Sequence, residues 1–466
     1  MRNISLLSQI RNVHLVGIGG SGMSGLAALL LQAGKQVTGS DREDSPAVEK
    51  LRKQGIRVLV GQKAENVNPA TELVVYSHAI TPDNPELRQA ALLGIPMVSY
   101  PEALGLLMQE KRGIAVAGTH GKTTTSALTV MMLKNAGLAP SFVIGGEICG
   151  VGNSGVGKGD YLVVEACEYR RSFLFYYPEI AVITSIEEDH LDYYRNLSEI
   201  EEAFDSFASQ VKPGGCLVLC AEEENVVKCI RSQATKVVTY GFARGHWQAT
   251  DIEECASGTF FYCSFQGKRL GRIHLPLSGR HNVLNALAVT ALGKQLGIDF
   301  SIISRGLASF PGVHRRMEIT GEVKGILVMD DYGHHPTEIR VTLQALKTRY
   351  PGRRLIVIFQ PHQYSRTRFL LEDFAASFQL ADRVILPDIY FVRDSEREKQ
   401  LVNSALLAER IRRHGRQALY LPGEGDIIAY LKEIVTAGDI VLTIGAGPIN
   451  RLGQLFVNEM KKELSG

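Results

Sequence analysis

The 466-residue chain is 45% apolar and 21% charged with a net charge of +2, the make-up of an ordinary globular protein long enough for about three domains. The near-neutral balance argues against nucleic acid or an anionic membrane as a partner, and no apolar run is long enough to span a bilayer. Seven cysteines (Cys149, Cys167, Cys216, Cys220, Cys229, Cys255 and Cys263), an odd number without a signal-peptide layout before them, point to reduced thiols and a cytoplasmic location, with small molecules as partners.

In chain order, "NVHLVGIGG" predicts a buried strand that runs into a glycine turn, and "GMSGLAALLLQAG" a helix closed at Gly34. The turn "GIGGSG" sets Gly17, Gly19 and Gly22, with Gly20 among them, in the GxGxxG spacing. "KQVTGSD" is the next strand and ends at Asp41, near the position of a ribose-binding acid. Alone this reads as a dinucleotide site, but the spacing marks any diphosphate resting on a helix N-terminus. After a further strand, "ELVVYSHAI", the pattern restarts at "RGIAVAGTHGKTTT". Gly118 and Gly121 permit a backbone that hugs phosphate, with Thr119 and His120 between them and Thr124 opening the helix. Lys122 can neutralise phosphate oxygens and Thr123 can offer a hydroxyl to Mg²⁺. The usual spacing wants glycine where Val116 stands, so a plain Gly-Lys-Thr helix start is the competing reading.

Two strands, "DYLVVEA" and "EIAVITSI", then end in acids. Strand C-termini face the ligand in parallel α/β sheets, so Glu165 and His190 are expected to meet Thr123 at a phosphate-bound metal. Glu187 and Glu188 read as a solvated acidic loop, with Asp189 and Asp192 beside them; Cys216 and Cys220 read as core thiols on a strand. The helix "HNVLNALAVTALGKQLG" opens with His281, Asn282 and Asn285, whose amides can read an adenine edge; Asn282 can equally cap the helix. A third strand–helix series runs from "ILVMDDYGHHP" through "RRLIVIFQPH" and "ADRVILPDIY" to "DIVLTIGAG". The fold class is therefore α/β in three units, 1–107, 108–315 and 316–466.

The ordered set "GIGGSGM", "GTHGKTTT", "EACE", "EEDH", "GRHNVLNA", "FPGVHRRM", "DDYGHHP" and "QPHQYSRT" resembles the Mur ligases of peptidoglycan synthesis over almost the whole chain. The resemblance implies a Rossmann-like N-terminal domain for a UDP-sugar, a central P-loop-type ATPase and a Rossmann-like C-terminal domain for an amino acid. It implies an ATP- and Mg²⁺-dependent ligase that joins L-alanine to UDP-N-acetylmuramate through an acyl phosphate, as a monomer or weak homodimer. It assigns the first glycine turn to the UDP diphosphate and the second to ATP, places Asn282 and Asn285 near the nucleotide, and sends Arg316 to the γ-phosphate, with Arg315 left open. For the amino acid it suggests Tyr332, His334 and Arg366, and His335 and Pro336 look structural. Gln363 stands where many similar enzymes have arginine, and "EACEYRRSF" departs from the commoner "EADESD", so Cys167 receives no role. Three rival readings stay open: a ligase that recycles a whole peptide, an NAD-dependent oxidoreductase built on the first turn, and a nucleotide-binding scaffold without turnover.

Overall fold

The computed structural model describes residues 7–231, 236–392 and 394–465, arranged in three sheets, each flanked by helices. The first unit contains strands β1 (Asn12–Val16), β2 (Gln36–Asp41), β3 (Arg57–Val60), β4 (Leu73–Tyr76) and β5 (Met97–Ser99). Helices α1 (Ser21–Gln32), α2 (Pro46–Lys53), α3 (Pro85–Leu92) and α4 (Tyr100–Gln109) connect or follow them. All its strand pairs are parallel, in the order β3-β2-β1-β4-β5. Helix α1 ends as its sequence predicts, with Gly34 at a φ of 78° just past the last turn.

The central unit runs through β6 (Arg112–Ala117), α5 (Lys122–Asn135), β7 (Ser141–Ile148), β8 (Gly152–Gly155), β9 (Tyr161–Glu165) and β10 (Ile180–Ile183). It continues with α6 (Leu197–Ala208), β11 (Cys216–Cys220), α7 (Glu224–Cys229), β12 (Lys236–Gly241), β13 (Trp247–Cys255), β14 (Gly258–Phe265), β15 (Lys268–Leu275), α8 (Arg280–Gln295) and α9 (Phe300–Ala308). Its ten strands follow the order β15-β14-β13-β12-β11-β10-β6-β9-β7-β8. The parallel centre carries an antiparallel β13–β14–β15 meander at one edge and an antiparallel β7–β8 pair at the other. The third unit holds β16 (Glu318–Val323), β17 (Ile326–Asp331), α10 (Pro336–Arg349), β18 (Leu355–Phe359), α11 (Tyr364–Phe369), α12 (Leu371–Ala376) and β19 (Arg383–Leu386). After these come α13 (Glu396–Lys399), α14 (Ser404–Arg413), β20 (Ala418–Tyr420), α15 (Glu424–Ile434), β21 (Ile440–Ile444) and α16 (Asn450–Ser465). The sheet order is β16-β17-β21-β18-β19-β20, parallel except for the β16–β17 hairpin.

The expected break between residues 107 and 108 falls inside α4; the chain leaves one sheet and enters the next at Glu110 and Lys111, three residues later than the sequence suggested. The expected break at 315/316 lies in the turn between α9 and β16. Packing does not follow these seams evenly. One buried apolar cluster joins Leu15, Leu26 and Val75 of the first unit to Val164, Phe173 and Phe204 of the second. Gly25 of α1 lies so close to the second unit that a Cβ there would sit 2.7 Å from the Ser154 Cβ. By contrast, the third sheet has two clusters drawn from its own residues, one on each face. Among the described residues, no helix is long and apolar enough to cross a membrane.

Candidate nucleotide and ligation site

Both glycine turns follow the strand at which their sheet's order reverses, the place where parallel α/β sheets open a crevice. After β1, Gly17 takes a φ of 78°, and the Gly17 and Ile18 N–H groups donate to the Ser40 carbonyl. The Gly19 N–H donates to Asp41 Oδ2 at 2.8 Å, and the Arg42 N–H to Asp41 Oδ1. Asp41 thus braces the turn through Oδ2 at the end of β2, where a ribose-binding acid was expected. A Cβ on Gly19 would lie 2.9 Å from Asp41 Oδ2 and 3.1 Å from a Val48 methyl. The N–H groups of the first turn of α1, which have no partner within the helix, remain for an anion.

The second turn is set by strand register. Val116 of β6 pairs with Glu165 of β9 on one side and Val182 of β10 on the other. The residues that leave these three strands therefore emerge together. Gly118, at a φ of 139°, passes so near β10 that a Cβ would fall 1.9 Å from Thr184 Oγ1. Ser185 takes the Thr119 and His120 N–H groups, and Gly121 (φ 80°) turns the chain into α5. The Thr123 hydroxyl donates to Glu165 Oε1 at 3.0 Å, and the Gly145 N–H holds the other carboxylate oxygen at 2.6 Å. Lys122 Nζ lies over the loop, 3.2 Å from the Thr119 carbonyl and 3.0 Å from Glu168. Burial alone would lower the Lys122 pKa, but the acidic groups around it, Glu168 foremost and Glu165 among them, together outweigh burial and raise it above the ordinary lysine value.

Glu168 is the residue sequence reasoning missed, although it closes the quoted "EACE" motif. Its side chain is only 3% exposed, and its Oε2, which receives no hydrogen bond, lies 3.0 Å from the Lys122 ammonium. Glu168, Asp189 and His190 each bring a ligand atom within 4.8 Å of the others. Thr123 and Glu165 form a separate pair held at the same loop through Lys122 and Thr123, consecutive residues of α5. This chemistry, carboxylates beside a hydroxyl and one imidazole, fits a magnesium ion. Between the two acids, the Cys167 thiol is pushed up to about 12 by burial and by Glu168, which disqualifies it as a nucleophile.

A cleft of about 430 Å³ extends from this loop between the central and third sheets. Its lining includes Thr124, Leu277, His281, Asn282, Asn285, Phe310 and Arg316. Asn282 does not cap α8. Its amide donates back to the Ser278 carbonyl at 2.8 Å and its Oδ1 accepts from Asn285. Asn285 Oδ1 in turn presses on Gly121, where a Cβ would lie 2.6 Å away. His281 is held down to about 4, first by burial and then by the nearby Arg316 charge.

The two arginines of "HRRM" separate cleanly. Arg315 is structural: its Nε donates to Asp330 at 2.9 Å and its Nη2 to the Gly445 and Gly447 carbonyls. Arg316 faces the cleft, with the Glu338 carboxylate no nearer than 3.9 Å. Tyr332 packs beneath both guanidinium groups, 5.0 and 5.3 Å from its ring centre, and lies 5.5 Å from the His334 ring. His334 Nδ1 sits 3.1 Å from the Tyr332 carbonyl, and burial drops its pKa to about 4. His335 caps α10 and donates from Nε2 to the Glu188 carbonyl at 3.1 Å.

Arg366 has a charge partner that the sequence did not suggest. Its Nε and Nη2 donate to Asp189 Oδ1 at 3.2 and 2.8 Å, and both side chains are nearly buried. The guanidinium is thus paired with a carboxylate of the central unit, 177 residues away, which no local pattern reveals, and it also lines a small pocket with His190 and Gln363. Gln363, beside it, is buried with a φ of 72°. Glu187 is not a solvated acid either. It lies 3.2 Å from His120 Nε2 and accepts from the Thr337 hydroxyl at 2.9 Å, and its pKa falls to about 2 as these contacts outweigh burial. Glu188 is exposed.

Three consecutive stretches match descriptions of one family: "Mur ligase family, catalytic domain" over residues 12–112, "Mur ligase middle domain" over 116–293, and "Mur ligase, glutamate ligase domain" over 315–447. The chain is 45% identical over 463 residues to the UDP-N-acetylmuramate–L-alanine ligase of Caldanaerobacter subterraneus subsp. tengcongensis, covering 98% of this chain and 99% of that one. Its structure is similar to the UDP-N-acetylmuramate–alanine ligase of Thermotoga maritima, with a TM-score of 0.80 and 31% identity over 97% of this chain and 99% of that one. A murein peptide ligase from Psychrobacter arcticus is similar at a TM-score of 0.69 and 27% identity, over 97% and 98%.

Proposed function

The chain belongs to the Mur ligase family, and from that premise we propose how its residues carry out an ATP-dependent ligation of L-alanine to UDP-N-acetylmuramate in peptidoglycan precursor synthesis. The observation that carries the reading is the junction of the phosphate loop, the acid cluster and the Arg316-lined cleft, in a chain similar end to end to an L-alanine-adding ligase.

The first glycine turn and the start of α1 take the UDP diphosphate, whose charge meets unpaired N–H groups. ATP enters the cleft with its base over Leu277 and Phe310, near the Asn282–Asn285 pair, and its phosphates reach the start of α5. A muramyl carboxylate is a poor acceptor of an amine because oxide is a poor leaving group. An oxygen of that carboxylate attacks the γ-phosphorus, ADP leaves, and an acyl phosphate results. The neutral amine of L-alanine then adds to the carbonyl carbon, loses a proton, and the tetrahedral adduct expels phosphate. Two anions must approach in the first step, so cationic groups there stabilise the transition state more than the ground state. Lys122 on the phosphate loop and Arg316 in the cleft supply that charge. The Thr123–Glu165 pair and, separately, Glu168 with His190 would hold Mg²⁺, which supplies further screening of the phosphate charge. Tyr332, His334 and Arg366 frame the acceptor side, with Arg366 acting at least partly by fixing Asp189 beside the acid cluster.

ADP release from ATP and UDP-N-acetylmuramate is the test, with L-alanine, glycine, L-serine and a tripeptide compared as acceptors. L-Alanine should give the highest kcat/KM. A preference for the tripeptide would transfer the chain to the peptide-recycling reaction, and tight NADH binding with no ligation would sink the ligase reading.

A further inference from the structure

Away from the acid cluster that suits Mg²⁺, His120, Glu187 and His335 each offer a ligand atom, all within 4.8 Å of one another. Glu187 Oε2 lies 3.2 Å from His120 Nε2 and 3.9 Å from His335 Nδ1. Ligands of a tetrahedral zinc, bonded at about 2.0 Å, stand roughly 3.3 Å apart; the His120–Glu187 pair already has that spacing, and His335 would have to move inward to complete the set. The outer contacts match those of metal-bound histidines, whose second ring nitrogen is normally held by a carbonyl or carboxylate. His335 donates its Nε2–H to the Glu188 carbonyl at 3.1 Å, which leaves Nδ1 without a proton; that nitrogen accepts the Thr337 N–H at 3.3 Å, a long capping bond that a metal ion near Glu187 would replace. His120 Nδ1 faces the Glu338 carboxylate at 3.5 Å, which leaves Nε2 for the shared centre. Glu187 is itself oriented by the Thr337 hydroxyl.

We propose that His120, Glu187 and His335 form a transition-metal site, selective for Zn²⁺ or a similar borderline ion, that bridges the central and third sheets. Two imidazoles and one carboxylate suit such an ion and not Mg²⁺, which prefers an all-oxygen octahedron. His120 and Glu187 line the nucleotide cleft, so water or a phosphate oxygen can supply the fourth ligand. His120 and Glu187 come from the central unit and His335 from the third. The bound ion therefore ties the two units together across the cleft, and Zn²⁺ should slow any turnover that needs them to part.

The test is a titration of metal-stripped full-length protein with Zn²⁺ by calorimetry and with Co²⁺ by visible absorption, without nucleotide, so its outcome is independent of the ligase reading. Wild type should bind one equivalent that is lost, or weakened at least tenfold, in His335→Asn and in Glu187→Gln. Asparagine is chosen at position 335 because it keeps a cap for α10. His190→Ala, in the separate acid cluster, should leave that equivalent in place. The Co²⁺ spectrum should show d–d bands without the intense near-ultraviolet band of thiolate ligation. Equal stoichiometry and affinity in wild type and His335→Asn, a thiolate spectrum, or no binding by wild type would each overturn the assignment.

Discussion

Replacing Lys122 with alanine should damage this protein twice, once in the reaction and once in the fold. The side chains of Lys122 and Glu168 are 14% and 3% exposed and 3.0 Å apart. Alanine would leave the Glu168 carboxylate buried, with His190 Nε2 as its nearest remaining charge partner at 3.9 Å. Removing one partner of a buried ion pair costs about 3–5 kcal/mol, a large share of a typical total of about 5–15 kcal/mol. In the reaction, losing a preorganised cation at the transferring phosphoryl group costs about 3 kcal/mol, or roughly 150-fold in rate. The double variant Lys122→Ala/Glu168→Gln separates the effects, because it removes the stranded charge without restoring the ammonium. Urea unfolding and single-turnover ADP formation should be run on wild type, both single variants and the double. The double should be more stable than Lys122→Ala yet no faster. A wild-type urea midpoint for Lys122→Ala would refute the ion-pair argument, and turnover within tenfold of wild type would remove the lysine from phosphoryl transfer.

Gly19→Val should weaken UDP-N-acetylmuramate binding far more than ATP binding, measured by calorimetry, because its Cβ would drive into Asp41 and Val48 and open the first turn; equal losses for both ligands would count against two separate anion sites. Arg366→Ala should raise the KM for L-alanine, while hydroxylamine still traps acyl phosphate as a hydroxamate; loss of the hydroxamate would move Arg366 to the phosphoryl-transfer step, and an unchanged KM would pass the anchor role to His334. His281 has a folded pKa of about 4, below its unfolded value near 6.5, so its contribution to stability is present above about pH 6.5 and is lost as pH falls toward 4. It amounts to at most roughly 3 kcal/mol, and His281→Gln should flatten that part of the stability–pH curve; an unchanged slope would show that other groups set it.

What the sequence revealed followed from local rules. Strand–turn–helix patterning located both glycine turns, because that pattern depends on neighbours within a few residues. The hidden parts depend on partners far along the chain. Arg366 reads as a free cation until Asp189 is brought against it, and Glu187 reads as a solvent-facing acid until α10 delivers Thr337. Glu168 was masked for a different reason: "EACE" holds two acids, and only the register of β6 against β9 shows that Glu165 faces Thr123 while the next acid reaches Lys122. The antiparallel β13–β15 meander also escaped, because no helices separate its strands and flag them as they flag the rest.

The apolar cluster that runs unbroken from the first sheet into the second has a practical consequence for dissecting the molecule. A fragment cut at Lys111 would expose the faces of α1 and α4 that now meet the central unit, and should aggregate when expressed alone. A cut near Arg316 meets no such shared interior, and the third sheet brings apolar packing of its own to both faces. Ligand screening against the first glycine turn is therefore better done on a two-sheet fragment ending before β16 than on the isolated first sheet.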